Sequence, residues 1–307
     1  MMRFSKNVLL LLLMTLLICC TNVVQAAYSR ADFPPVLMYH DVRETALNYF
    51  DVTTEDFAAQ LDRLKADGYQ TLSMEEFVAI AKEGGRFPEK SVLITFDDGY
   101  RGIYERALPE LAKRGMKATF FIIADSLDKD EGAYPYVTKE QLKKMAASPL
   151  VSIGSHTCTH AHLEQIDSSE RREELVRSRE KLEKLTGRKI EAIAFPYGSY
   201  DKSVIEAVRD AGYDVSFAVQ DRGLLHEDAK YSIPRIYMGL ELGKEHLDRF
   251  SDYVNRYKKM PAEFLSIVGN ISRIDFMSAK CDWKKAYRIG GRLWKKHSQY
   301  QYPGVTS

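Results

Sequence analysis

Short apolar runs alternate with amphipathic stretches along most of this chain, and that alternation restricts its fold more than any other feature. Residues 36–39, 92–96, 118–123, 151–154, 190–195, 215–219 and 232–237 read as strands. The run Val92, Leu93, Ile94, Phe96 has no polar face, as a strand buried on both sides requires. Between the runs lie helical patterns. Thr53-Thr54-Glu55-Asp56 and Ser73-Met74-Glu75-Glu76 are capping-box starts, and Phe57, Leu61 and Leu64 follow at helical spacing. Further helices are expected over 103–114, 138–147, 168–185, 202–211 and 244–257. Repeated strand–helix units imply a parallel sheet with right-handed crossovers. Seven or eight such units point to a distorted (β/α) barrel, whose chemistry belongs at the C-terminal ends of the strands.

The two ends of the chain read differently. Arg3 and Lys6 precede an apolar run over 8–18, and Val24-Gln25-Ala26 offers small residues to a signal peptidase. Residues 1–26 are expected to be a secretory signal peptide, with an uncleaved anchor as the alternative. The product is then periplasmic, secreted or held at a cell surface. Residues 27–257 form the expected catalytic domain. Residues 258–307 carry both tryptophans among many lysines and arginines. They read as an extension packed on the barrel, or as a surface for anionic polymer or membrane head groups. The formal net charge of +1 over 307 residues gives no support for a nucleic-acid partner. Cys19 and Cys20 lie in the leader, which leaves Cys158 and Cys281. They are expected to be free thiols, though one disulfide between them stays open.

Three clusters fall at strand ends: Asp97-Asp98-Gly99, "SHTCTHAHL" from Ser155, and "AFPYGSYD" from Ala194. A barrel puts all three on one rim. Adjacent aspartates repel and resist burial unless something neutralises them. One carboxylate with two imidazoles is a ligand set for zinc or another borderline divalent metal, and it leaves positions open for water and substrate. The second carboxylate is then placed to take a proton from water, the chemistry of metal-assisted hydrolysis.

"TFDDGY", "SHTCTH" and "FPYG", in that order, resemble the polysaccharide deacetylases with a NodB homology domain, carbohydrate esterase family four. "PVLMYHDV" upstream and "IPRI" downstream are similar to the branch of poly-β-1,6-N-acetylglucosamine N-deacetylases. The resemblance spans residues 36–237. It implies a distorted barrel that removes acetate from an N-acetylated polysaccharide. It implies Asp97 as general base and Asp98, His156 and His160 as ligands of a divalent metal, zinc first and Fe2+, Co2+ or Ni2+ as alternatives. It also implies a Tyr197 backbone N–H facing the oxyanion. Peptidoglycan, chitin oligomers or an O-acetylated glycan are alternative substrates, and a non-catalytic carbohydrate-binding relative is the alternative class.

The pattern also departs from the family. Ala194 stands where many members have arginine, no tryptophan precedes Trp283, and the string most like a Leu-x-His acid, "LLHED" from Leu224, falls in an expected loop before Pro234. His40, at the end of the first strand, is the expected acid, with a substrate contact as its alternative. Arg235 is expected to hold Asp97 ionised in place of the missing arginine. His162 is expected beside the ligands rather than among them. Cys158 is read as a spacer and His226 as a decoy in a loop.

Overall fold

The computed structural model describes residues 33–130, 132–219, 226–239 and 242–256. The leader, Cys281 and the 258–307 extension lie outside them. The strands are β1 Val36–Tyr39, β2 Asp41–Arg43, β3 Asp51–Thr53, β4 Gln70–Thr71, β5 Ser91–Phe96 and β6 Ala118–Ile122. After them come β7 Val151–Ser155, β8 Ala192–Ala194, β9 Val215–Phe217 and β10 Ile236–Tyr237. The helices are α1 Thr54–Ala66, α2 Met74–Glu83, α3 Leu108–Arg114, α4 Lys139–Ala146, α5 Ser168–Thr186, α6 Lys202–Asp210 and α7 Leu247–Arg256.

The strands run parallel in the order β10-β1-β5-β6-β7-β8-β9, with β4 added beside the start of β5. The ring closes through one segment. Ile233 bridges to Phe217 of β9, and three residues later Ile236 pairs with Leu37 of β1. Pro234 lies between the two pairings and has no N–H to contribute. A run of regular pairing therefore cannot form there, and the barrel is distorted at this seam.

The period of two along each strand sorts the core into two layers. Val92, Ile94 and Phe96 join Phe120, Ile122, Ile153 and Ile193 in the layer under the helices. Leu93 joins Val36, Phe121, Ala192, Val215, Phe217 and Ile233 in the inner one. Small residues make the inner layer fit: a Cβ on Gly154 would sit 2.4 Å from the Phe121 ring.

Both capping boxes start where the sequence puts them, although only the one at Ser73 closes reciprocally. Thr53 caps α1 by accepting from the Asp56 backbone N–H at 3.0 Å. The strands over 190–195 and 215–219 are each three residues long, and the helix over 244–257 opens as a 3-10 turn; two other stretches differ for a reason visible in the chain. The helix over 103–114 opens as a π-helical turn, Ile103–Ala107, before α3 begins. Pro109 removes a donor, so the regular ladder starts only around it. The strand over 232–237 shrinks to Ile236–Tyr237 for the reason given at the seam. The short parallel pair β2–β3 went unforeseen, because three-residue strands carry almost no periodic signal.

Candidate functional site

The same period of two carries the core out to the rim. Leu93, Thr95 and Asp97 lie on one face of the β5 line, and Ile233 and Arg235 lie on one face of the closing segment. Asp97 and Arg235 therefore meet inside the barrel mouth, above the apolar layer. Arg235 Nη1 donates to Asp97 Oδ1 and Nη2 to Oδ2, each at 2.7 Å. Its Nε donates to the Ala218 carbonyl at 3.2 Å. Both side chains are buried, 0% and 4% exposed. Burial by itself would raise the Asp97 pKa. The charge of Arg235, aided by the hydrogen bonds that it donates, overcomes it and holds the carboxylate at about 2.

Asp98 leaves the strand in the left-handed region, φ 69°, and turns away from Asp97. Among the described residues, four of the five non-glycine residues with positive φ are at this rim: Asp98, Thr157, His160 and Tyr197, the fifth being Asp128. Such strain gathers where a site imposes its geometry. The Thr157 hydroxyl accepts from the His160 N–H at 3.0 Å and fixes the turn that brings His160 back beside His156. Asp98 Oδ1 lies 3.5 Å from Nε2 of both histidines. One donor atom from each of the three lies within 4.8 Å of the others.

These donors fit a divalent cation. His156 Nδ1 is 2.8 Å from the Ala194 carbonyl, which sets the tautomer that leaves Nε2 free as a ligand. Burial pulls both imidazoles down to about 4, so they are neutral and ready to ligate at neutral pH. Burial first, and then the charge of Asp98 beside it, push the Tyr100 hydroxyl well above the ordinary phenol range, so it stays protonated next to that carboxylate. Tyr100 ends the stretch "TFDDGY", where the sequence assigns it no role. Its position two residues after Asp98, in a turn, was the available signal.

The remaining expected residues surround one pocket of about 100 Å³, the space of about three waters. His40 lines it, with ring contacts to Phe50 at 5.5 Å and Tyr237 at 6.0 Å, and its buried Nδ1 has no hydrogen-bond partner. Tyr197 sits in the turn Pro196–Gly198 with φ 59°. Gly198 cannot carry a side chain there, because a Cβ would meet Val219 at 2.5 Å. His162 stacks on Tyr197 and stands outside the triad. Cys158 points to Arg177, whose Nε donates to its sulfur at 3.3 Å, and it too is outside the triad. His226 begins a short 3-10 turn, His226–Tyr231. Tyr49, Phe50 and Tyr237 form an aromatic wall that sequence reading missed, since nothing in their spacing links them. A roomier groove of about 600 Å³ lies at the opposite end of the strands, where Arg188 and Lys189 pair with Glu75 and Glu191. Among the described residues no helix is long and apolar enough to cross a membrane.

Comparison with known proteins agrees with this geometry. The polysaccharide deacetylase family profile matches residues 84–216. YxkH of Bacillus subtilis (strain 168), provisionally named a polysaccharide deacetylase, is 32% identical over 202 residues, covering 66% of this chain and 70% of that one. The poly-β-1,6-N-acetyl-D-glucosamine N-deacetylase of Staphylococcus epidermidis is 31% identical over 196 residues, 61% of this chain and 68% of its own. Among solved structures, the Streptococcus pyogenes deacetylase PplD, in complex with acetate, superposes with a TM-score of 0.62 at 26% identity, over 70% of this chain and 96% of PplD. The chain belongs to the polysaccharide deacetylase family and is a hydrolase with the NodB-type fold.

Proposed function

We propose that this protein is an exported, metal-dependent deacetylase that removes N-acetyl groups from poly-β-1,6-N-acetylglucosamine. The observation that carries the reading is the pairing of a cation-ready triad, Asp98, His156 and His160, with a second carboxylate held ionised by Arg235. Several relatives named for that polymer support the choice of substrate.

Asp98, His156 and His160 hold the cation, zinc by preference for this donor set, with Fe2+, Co2+ or Ni2+ compatible. When bound, a divalent cation polarises a carbonyl and acidifies a water. Asp97 takes the proton of the attacking water. Held below the ordinary carboxylate range by Arg235, Asp97 is ionised and able to accept that proton at neutral pH. Arg235 keeps it charged and fixes its orientation. The water oxygen bonds to the acetamide carbon. The backbone N–H of Tyr197 donates to the oxygen that gains charge. His40 gives a proton to the sugar nitrogen as the carbon–nitrogen bond breaks, which releases acetate and leaves a free amine.

The test is acetate release by the exported chain from β-1,6-linked N-acetylglucosamine oligomers, with zinc or cobalt added and Asp97→Asn as control. Release that the control abolishes supports the reading. Absence of release from a protein shown to have bound metal refutes the substrate.

A further inference from the structure

The pocket holds a polar pair that the proposed chemistry does not use. His162 lies flat on Tyr197, with ring centroids 3.7 Å apart and planes 7° from parallel. The stack fixes the direction of its ring nitrogens. Glu164 Oε1 is 3.9 Å from His162 Nδ1, too far for a direct hydrogen bond. His162 Nδ1 and Glu164 Oε2 are both buried without a hydrogen-bond partner, although both residues line the pocket. Buried polar atoms are normally satisfied, and these two belong to side chains 35% and 19% exposed at the pocket wall, so a small rotation brings them to groups from outside the chain.

The complement is a pair of hydroxyls. A carboxylate oxygen only accepts, while a neutral imidazole nitrogen either donates or accepts according to tautomer. A hydroxyl does both. Vicinal hydroxyls on a pyranose lie about one hydrogen-bond length apart, so one can meet Glu164 while its neighbour meets His162. The location also fits. Tyr197 is flanked by His160 at 4.5 Å and by His162 at 3.7 Å. The pair therefore stands one ring away from the triad, the scale that separates substituents across a single sugar.

We propose that His162 and Glu164 bind the vicinal diol of the sugar whose acetamide reacts, and thereby select the linkage of the polymer. The inference rests on the reading of the site as an N-acetylglucosamine deacetylase. With the acetamide on C2, the hydroxyls on C3 and C4 are neighbours. A 1,6 linkage leaves both free on every residue within the chain. A 1,4 linkage consumes the C4 oxygen on every residue except the non-reducing end. With the C4 hydroxyl on Glu164 and the C3 hydroxyl on His162, an internal 1,4-linked residue offers the carboxylate a glycosidic oxygen that cannot donate, and a polar group left unpartnered in this way is what such a site discriminates against most strongly.

The experiment measures kcat and KM for acetate release by the metal-loaded exported chain on fully acetylated β-1,6 and β-1,4 oligomers. The variants are Glu164→Ala, Glu164→Gln and His162→Phe, the last of which keeps the stack on Tyr197. The ratio of kcat/KM between the two linkages falls about tenfold or more in Glu164→Ala and His162→Phe, through KM on the 1,6 oligomer. Glu164→Gln retains part of the preference. A 1,6 oligomer lacking the C4 hydroxyl makes the same test on the unmodified enzyme, where folding of a variant is not at issue, and its KM rises by a similar factor. A linkage preference that survives in both variants, or an unchanged KM for the 4-deoxy oligomer, overturns the diol contact and leaves the deacetylase reading standing. Release from the β-1,4 oligomer alone, or from neither, overturns both.

Discussion

Removing one member of the Asp97–Arg235 pair should destabilise the fold far more than removing both. The pair has two 2.7 Å hydrogen bonds and side chains 0% and 4% exposed, so either partner left alone is a charge, or an unmatched fork of donors, in a nearly dry site. Breaking such a pair costs about 3–5 kcal/mol, while replacing both partners with neutral groups of similar volume is often close to neutral. For a domain of this size, where about 1 kcal/mol moves Tm by about 2–4 °C, Arg235→Met should lower Tm by about 6–20 °C. Asp97→Asn should fall in the lower half of that range, because its side-chain carbonyl still accepts one bond. The double variant should cost no more than the worse single. The assay is urea unfolding of chelator-treated protein, so that metal linkage does not add to the differences. Coupling of about 3 kcal/mol is expected from the cycle. Additivity within about 0.5 kcal/mol would refute the argument, since it would mean that the two groups do not depend on each other in the folded state.

Three further outcomes follow from the same geometry. Tyr100→Phe removes a hydroxyl from Asp98 and should weaken metal affinity about 10–100-fold in a competition titration with a chromophoric chelator; unchanged affinity would show that Asp98 needs no such support. The metal-free protein should lose stability as pH falls from 6.5 toward 4. His156 and His160 are buried near 4 while their unfolded values are 6.5, so the unfolded chain binds more protons in that window. Denaturant midpoints measured across it should drop, and replacing His156 with asparagine should flatten the slope. Gly154→Ala should cost about 1–3 kcal/mol by driving a Cβ into the Phe121 ring, read from the urea midpoint, and Phe121→Leu in the same chain should recover part of the loss.

Much of the site was legible because it follows strand registers that short apolar runs reveal. Once residues 92–96 are a strand, period two puts Asp97 in line with Leu93, and a barrel brings the ends of β5, β7 and β8 to one rim. The triad needed only that and the spacing of His156 and His160. Two features were illegible for a shared reason. Tyr49 and Phe50 precede α1, whereas Tyr237 ends β10, and their common wall exists only because β1 pairs with both β5 and β10. Glu164 lies in a loop of no regular pattern, and its closeness to His162 in sequence says nothing about a pocket.

The chain's local chemistry determined where strands and helices begin, which residues face inward, and which ones could hold a cation. These are properties of neighbours in sequence, set by side-chain periodicity and capping. Tertiary structure alone decided that Arg235 clamps Asp97 across 138 positions, that the ring closes imperfectly around Pro234, and that His162 and Glu164 line the same pocket. The clamp and the seam join segments distant in the chain, and the pocket wall depends on how a patternless loop lies on the barrel; a one-dimensional pattern carries no measure of either.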